Sequence, residues 1–186
     1  THPIPDLTGY ITEGQIVLSR ELNSQGIYPP VHISPSLSRL MKDGIGKDDT
    51  RDDHPRVAAQ LYALYSRALE TRNLASIIGA DELSTHDRRY LTFADAFDRR
   101  FVGQGENEER SIEATLDLAW DLMSIFPKDG LTRVSEADIA KHYRDLDESQ
   151  TNAVVGGPAS GVTTAVQSRS RRRRRTASGA QPSGTA

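Results

Sequence analysis

Apolar residues recur at intervals of three and four over residues 50–146, and this spacing is the strongest constraint on the fold. The first series predicts an amphipathic helix over residues 53–72. A second series runs from Tyr90 to Phe101 and a third from Ile112 to Met123. Because each stripe must be buried against another element, three of them close together predict a compact helical bundle.

Two serines mark the beginnings of predicted helices. Ser84 is followed three positions later by Asp87, and Ser135 is followed in the same way by Asp138. A serine hydroxyl that accepts a backbone N–H, paired with an acid three residues on, is typical of a helix N-terminus. We therefore expect the second helix to begin at Ser84 and a short last helix to begin after Ser135.

Residues 1–49 have a different pattern, with many prolines and glycines and short apolar runs. The run from Gly14 to Ser19 predicts a strand, since it is rich in β-branched residues. Pro29, Pro30 and Pro35 exclude a long helix between them. This segment therefore predicts strands and loops that are too few to close a sheet alone.

The last part of the chain changes composition again. From Ser149 to Ala186 there is no acid and no aromatic residue, while Arg169 and the run from Arg171 to Arg175 supply six bases. Residues 1–148 then hold 17 Lys and Arg against 26 Asp and Glu, a net charge of −9. Because such a segment has little apolar area to bury, we predict a disordered basic tail over residues 147–186.

Several kinds of chemistry are excluded by the sequence. There is no cysteine, so disulfides and thiolate chemistry are absent. Neither a G-x-x-x-x-G-K-[ST] nor a G-x-G-x-x-G motif occurs, and the five histidines are scattered. The acids around Arg51 are interpreted as a solvated loop leading into a helix rather than as a divalent-cation site. Trp120 is expected in the core, and His54 is interpreted as an ordinary first-turn residue rather than an interface donor.

The sequence around Arg39 is the most informative segment for function. Arg39 follows Pro35, Ser36, Leu37 and Ser38, which predicts a rigid loop that presents one guanidinium outward. Arginine stays charged and can donate two hydrogen bonds to phosphate oxygens. From the residues alone, an ordinary ion pair of Arg39 with a neighbouring acid, such as Asp43 or Asp6, is favoured over this role.

A resemblance to a known family favours the phosphate-binding role of Arg39 over an ordinary ion pair. It rests on many short runs of residues that occur in one order and at consistent spacing. Together they resemble the B subunit of V-type and archaeal A-type rotary ATPases over roughly residues 1–144. The runs are Thr1–Ile16, Tyr28-Pro29-Pro30, Pro35–Leu40, Thr50-Arg51-x-Asp53-His54, Gln60–Ala63, Phe93-Ala94-Asp95-x-Phe97, Gln104-Gly105 and Thr115–Leu118-x-Trp120.

The resemblance implies a C-terminal fragment of such a subunit. The expected fold is mainly α: a helical bundle over residues 50–146, preceded by the last strands of a truncated RecA-like α/β nucleotide-binding domain over residues 1–49. Such a fragment is expected to have no activity and no bound cofactor of its own, and no metal site. No nucleotide-binding residue is assigned.

The resemblance also implies a role for Arg39 as an arginine finger acting in trans, with Ser36 and Ser38 as supporting loop residues. The nucleotide, ATP or ADP with magnesium, would lie at the interface with a catalytic A subunit. The implied partners are that subunit in an alternating hexamer, the central rotor shaft and, for the whole subunit, the peripheral stalk. The implied location is the cytoplasmic face of a membrane, as a peripheral part of a complex that couples ATP synthesis or hydrolysis to proton or sodium transport.

A second hypothesis is a stand-alone helical interaction module whose basic tail binds nucleic acid. Arginine runs suit nucleic acid or another acidic surface. We favour a dispensable or misread tail and do not expect nucleic acid as a partner.

Overall fold

The computed structural model describes residues 7–8 and 11–156. Two strands and a short helix come first, followed by helices of very different length. The strands are β1 (Gly14–Leu18) and β2 (Val31–Ser38). The helices are α1 (Arg20–Ser24), α2 (His54–Ile78), α3 (Thr85–Ala96), α4 (Ile112–Met123), α5 (Glu136–His142) and α6 (Glu148–Gly156). The mainly α fold class predicted from the spacing is confirmed.

Helix α2 is the longest element and extends beyond its predicted end at residue 72. It continues because no glycine or proline interrupts it before Gly79, whose φ of 92° ends the helix. The apolar spacing did not indicate residues 73–78, whose apolar side chains are largely exposed, with Ile77 at 81%. The spacing of apolar residues therefore predicts the part of a helix that packs against the core and not the end that extends beyond it.

The predicted capping residues begin their helices as expected. The hydroxyl of Ser84 accepts the N–H of Asp87 at the start of α3. At α5, Ser135 and Asp138 form a complete capping box, in which each side chain bonds the backbone of the other. Both caps satisfy N–H groups that a helix leaves without partners.

The core lies between α2, α3 and α4. Phe93 and Leu122 are fully buried there, and Trp120 is 2% exposed. The rings of Phe93 and Phe97 lie 5.6 Å apart, and Phe93 and Phe126 lie 5.4 Å apart. These aromatic contacts supply much of the apolar burial that stabilises the bundle.

After α3 the chain continues as one wider turn of π-helix, Phe97–Val102. The N–H of Gly103 bonds the carbonyl of Asp98 at 2.9 Å, which closes this turn. A β-carbon at Gly103 would lie 2.6 Å from the carbonyl oxygen of Arg99, so this position requires glycine. The wide turn directs the buried carboxylate of Asp98 onto Tyr65 and Arg72 of α2.

Strands β1 and β2 form a two-stranded antiparallel sheet, called here the ribbon. It is attached to the bundle by Leu22 and Ile27 of the connection between the strands, which are both buried. The N–H of Gln104 also bonds the carbonyl of Tyr28 at 2.7 Å. The predicted strand at residues 14–19 is confirmed, apart from Ser19, which caps α1.

Helix α6 corrects the prediction that disorder begins at residue 147. The segment forms a helix whose residues Val154 and Val155 pack against the core. Arg100 donates a hydrogen bond to the carbonyl of Val154. The low apolar content misled the prediction because two valines suffice to attach one short helix. The arginine run and the remainder of the predicted tail lie outside the described residues.

Candidate functional site

Arg39 lies where β2 ends and a 3₁₀ turn, Leu40–Asp43, begins. The residue is exposed. Its backbone N–H donates to the carbonyl of Glu13 at 2.8 Å, which fixes the end of β2 beside the beginning of β1. The guanidinium is therefore carried by a backbone position that is bonded across the ribbon.

Ser36 and Ser38 do not lie in a loop, as the sequence had suggested, but within β2. Proline usually interrupts a strand because it has no N–H to donate. Here Pro35 is accommodated because β1 and β2 lose their register at this point. The rigid platform predicted for Arg39 is therefore a strand with an irregularity and not a free loop.

Ser36 replaces the backbone bonds that the irregularity removes. Its hydroxyl accepts the N–H of Val17 at 3.0 Å and donates to the carbonyl of His32 at 2.6 Å. A serine hydroxyl can do both because it carries one donor and two acceptor sites. Ser36 thus joins β1 to two points of β2, three residues before Arg39.

Ser38 is exposed and pairs with Gly14 across the ribbon. A β-carbon on Gly14 would lie 2.8 Å from the carbonyl oxygen of Leu37 and 3.3 Å from the Cα of Ser38. Only glycine allows the two strands to approach this closely without displacement. Gly14 and Ser38 therefore set the strand separation immediately before Arg39.

Sequence reasoning missed a buried polar cluster at the start of α2. Asp53 is 2% exposed and accepts hydrogen bonds from Arg51 (2.6 and 3.0 Å) and from the indole of Trp120 (2.7 Å). The ring of His142 stacks on Trp120 with 5.5 Å between centroids. The interpretation of a solvated acidic loop is therefore wrong for Asp53, which is part of the core. The other three acids of this segment are exposed, as expected.

The contacts within this cluster shift the pKa values of two of its members, Asp53 and His142. Burial alone would raise the pKa of Asp53, but the hydrogen bonds from Arg51 and Trp120 outweigh it and hold that pKa below its ordinary value. Burial, and then the positive charge of Arg51, lower the pKa of His142. The only signal in the sequence was the position of Asp53 directly before a helix that begins His-Pro.

His54 lies in the first turn of a helix and Trp120 in the core, as the sequence predicted, but each also makes a hydrogen-bonding contact that was not predicted. His54 lies in the first turn of α2, and its Nδ1 is 3.0 Å from the hydroxyl of Thr50, which precedes the helix. Trp120 is buried as expected, but its indole also donates to a carboxylate. Across the part of the chain that the structure describes, no group of three or more His, Asp or Glu is arranged to hold a metal ion.

An apolar groove of about 530 Å³ separates the ribbon from the bundle. It is lined by side chains from both, among them Ile16, Leu37, Val57, Tyr65 and Phe101. Arg110 also lines it, but its guanidinium is bonded to Glu108 and to backbone carbonyl groups. The groove therefore offers an apolar surface and not a cradle for phosphate groups.

Comparison with known families assigns the two parts of the chain. The family model described as the C-terminal domain of V and A type ATP synthase matches residues 43–143. That described as the ATP synthase alpha/beta family, nucleotide-binding domain, matches residues 1–38. The chain belongs to the V- and A-type ATP synthase family, and Arg39 falls between the two matched segments.

Curated relatives agree with this assignment. The chain is 71% identical over 153 residues to a V-type ATP synthase beta chain of Nitrosococcus oceani, covering 82% of this chain and 32% of that protein. It is 59% identical over 143 residues to the B subunit of the A-type ATP synthase of Aeropyrum pernix, covering 77% and 31%. The resemblance to a B subunit is thereby confirmed, and the chain spans about a third of the length of these relatives.

A solved structure has the same fold. It is described as a unique ATP synthase subunit NeqB from Nanoarcheaum equitans and is 45% identical, with a TM-score of 0.61. The match covers 67% of this chain and 30% of that one. None of the helices in residues 7–8 and 11–156 combines the length and apolar character needed to cross a membrane.

Proposed function

We propose that this chain forms the C-terminal part of a non-catalytic B subunit that alternates with catalytic A subunits in a hexameric ring. In this proposal residues 1–49 are the end of its nucleotide-binding domain and residues 50–146 its helical bundle. The match of two ATP synthase family models to consecutive parts of the chain supports this division. The A subunit and the rotor shaft are the proposed contacts of the fragment, and the peripheral stalk is a contact of the whole subunit.

The chemical contribution that we propose is an arginine finger, supplied by Arg39 to a nucleotide on the neighbouring A subunit. Its exposed position, on a strand end bonded to Glu13, is the observation that carries this proposal. Transfer of a phosphoryl group spreads negative charge over its equatorial oxygens, and a guanidinium placed there stabilises that charge. ATP or ADP with magnesium is assigned to the interface, on the side of the A subunit.

Ser36 and Ser38 support the finger indirectly in this proposal. Ser36 bonds Val17 and His32, and Ser38 lies against Gly14, so both act on the strand and not on the nucleotide. The whole assembly would be a peripheral complex at the cytoplasmic face of a membrane. Its ATP chemistry would be coupled to movement of protons or sodium ions.

The test is turnover by the assembled ring, with a full-length B subunit that carries this sequence in its C-terminal third. We expect Arg39→Ala to lower the ATPase rate by roughly 10³–10⁵-fold while the ring still assembles. Arg39→Lys, which keeps a charge but loses the planar fork, should recover only part of the rate. Arg20→Ala is the matched control, because Arg20 is an exposed arginine on α1 of the same region. Normal turnover in Arg39→Ala would refute the arginine-finger role.

A further inference from the structure

The pairing of β1 with β2 is interrupted immediately beside Gln15. Gln15 lies opposite Leu37, whereas Val17, two residues later, lies opposite His32. Ile16 alone therefore faces the four residues 33–36 of β2. Strand irregularities of this kind redirect the side chains that follow them.

Hydrogen bonds from side chains replace the backbone hydrogen bonds that are missing at this irregularity. The side-chain amide of Gln15 donates to the carbonyl of Pro35 at 3.0 Å, while Ser36 bonds Val17 and His32 on the other side. Gln15 and Pro35 are both half-buried. A carbonyl that is partly withdrawn from water is destabilising without a partner, so the Gln15 amide stabilises this conformation of β2 over others.

The contact between Gln15 and Pro35 also determines where Arg39 lies, because Arg39 is four residues after Pro35 in the same segment of chain. After Pro35 the chain regains register at Leu37 opposite Gln15, and Ser38 then lies opposite Gly14. Arg39 follows with its N–H on the carbonyl of Glu13. Since a slip of one residue turns every side chain to the opposite face, the register at Gln15 determines the face on which Arg39 projects.

We propose that Gln15 is a positioning residue for Arg39, and that its amide holds β2 in the one register that presents the guanidinium outward. The observed contact of Gln15 is with the carbonyl of Pro35, so in this proposal it acts through the strand. This inference rests on the arginine-finger role proposed above for its effect on catalysis. Its structural part can be measured in this chain without any nucleotide.

The first measurement is ¹⁵N relaxation of the 186-residue chain at the Arg39 amide and its Nε–H. In the unchanged chain we expect the amide order parameter in the rigid range, about 0.85, and in Gln15→Ala below about 0.6. Gln15→Glu has nearly the same shape but cannot donate when ionised, so it should behave like Gln15→Ala. Gln15→Lys keeps a donor of sufficient reach and should restore rigidity. Gln25→Ala, at an exposed glutamine after α1, is the control.

Unchanged amide shifts in α2, α3 and α4 confirm that each variant is folded and that the change is confined to the ribbon. If the Arg39 amide is equally rigid in Gln15→Ala and Gln15→Glu, the positioning role is wrong. A loss of rigidity in Gln15→Lys equal to that in Gln15→Ala would also contradict it, because the donor would then be irrelevant.

The second measurement is turnover in the assembled ring with the full-length subunit. A misplaced guanidinium should lower kcat about 10–100-fold in Gln15→Ala and leave KM for ATP within about twofold. Combined with Arg39→Lys, Gln15→Ala should cause little further loss, because both act on one group. Independent, multiplying losses would overturn the inference. Normal turnover of Arg39→Ala would instead remove the arginine-finger proposal, and the relaxation result would still decide whether Gln15 holds the strand.

Discussion

The bundle buries two carboxylates that have hydrogen-bond partners, whereas the ribbon exposes apolar side chains. In the bundle, the carboxylates of Asp53 and Asp98 are inside and fully bonded, at 2% and 1% exposure. In the ribbon, apolar side chains are outside, with Ile16 76% and Leu18 65% exposed. Buried polar groups that have hydrogen-bond partners are typical of a well-packed protein interior. Clustered exposed apolar groups are typical of a contact surface.

The two regions therefore have different requirements for stability. The bundle closes its own core around Phe93 and Trp120. The ribbon is a two-stranded sheet, which is marginally stable in water unless it packs on something else. In the described residues each strand of the ribbon pairs with one other strand, so the register between them depends also on side-chain hydrogen bonds such as those of Ser36. We therefore interpret the ribbon as a surface that presents Arg39 and the bundle as its support.

Hydrogen exchange should show the largest contrast between the two regions. We expect amides in the centres of α2, α3 and α4 to open only with global unfolding and those of β1 and β2 to open locally. We expect the ribbon amides to exchange at least about a thousandfold faster, measured by NMR or mass spectrometry on the 186-residue chain. Uniformly strong protection across both regions would contradict this account of the ribbon.

A matched pair of truncations measures how tightly the side chains of each region are packed. Phe93 has 0% exposure, so Phe93→Ala should lower the free energy of unfolding by about 3–5 kcal/mol. Ile16→Ala should change it by less than about 0.5 kcal/mol, because Ile16 is mostly in solvent. Urea denaturation followed by the fluorescence of the single tryptophan measures both. Equal losses at the two positions would show that the ribbon is as tightly packed as the bundle.

Asp53 tests whether the buried polar cluster stabilises the bundle. Asp53→Asn keeps the shape and one acceptor but removes the charge that pairs with Arg51. We expect a loss of about 1–3 kcal/mol, measured by thermal or urea denaturation. Asp52→Asn is the control, because the side chain of Asp52 is 71% exposed. An equal effect of the two variants would mean that burial of Asp53 contributes nothing.

The pH dependence of stability should be the smallest of these effects and should have two parts. The pKa of His142 is lowered by burial and by Arg51, so stability falls as pH drops below about 6.5, where the unfolded histidine binds a proton. The pKa of Asp53 is also lowered, so its contribution is complete above its unfolded value of 3.8 and is lost as pH falls further. In Tm measurements, His142→Gln should reduce the first decline and Asp53→Asn the second. Unchanged profiles would contradict both assignments.

The sequence predicted most of the bundle because its signals are local. The apolar series and the serine caps at Ser84 and Ser135 each depend on residues three or four apart, which one turn of helix brings together. Helix α6 was missed since its attachment depends on the packing of Val154 and Val155 on the core and on a hydrogen bond from Arg100, far away in the chain. Local spacing carries no information about such a contact.

The site was predicted less completely than the fold. Resemblance directed attention to Arg39, Ser36 and Ser38, but it suggested a loop where the structure has a strand. The contact of Gln15 with Pro35 joins residues twenty positions apart, and that of Asp53 with Trp120 joins residues sixty-seven apart. Side-chain bonds of this range depend on the register and packing of the whole chain, which no short motif specifies.

We propose that Arg39 stabilises the transition state at the nucleotide of a neighbouring A subunit and does not merely hold the ring together. The most direct test of this proposal is the cleavage step of ATP in a single turnover, measured with rings that contain Arg39→Ala and compared with Arg20→Ala. We expect a cleavage rate roughly 10³–10⁵-fold lower, with ATP affinity and ring assembly largely unchanged. An unchanged cleavage rate, with any loss of activity explained by weaker assembly or weaker ATP binding, would contradict it.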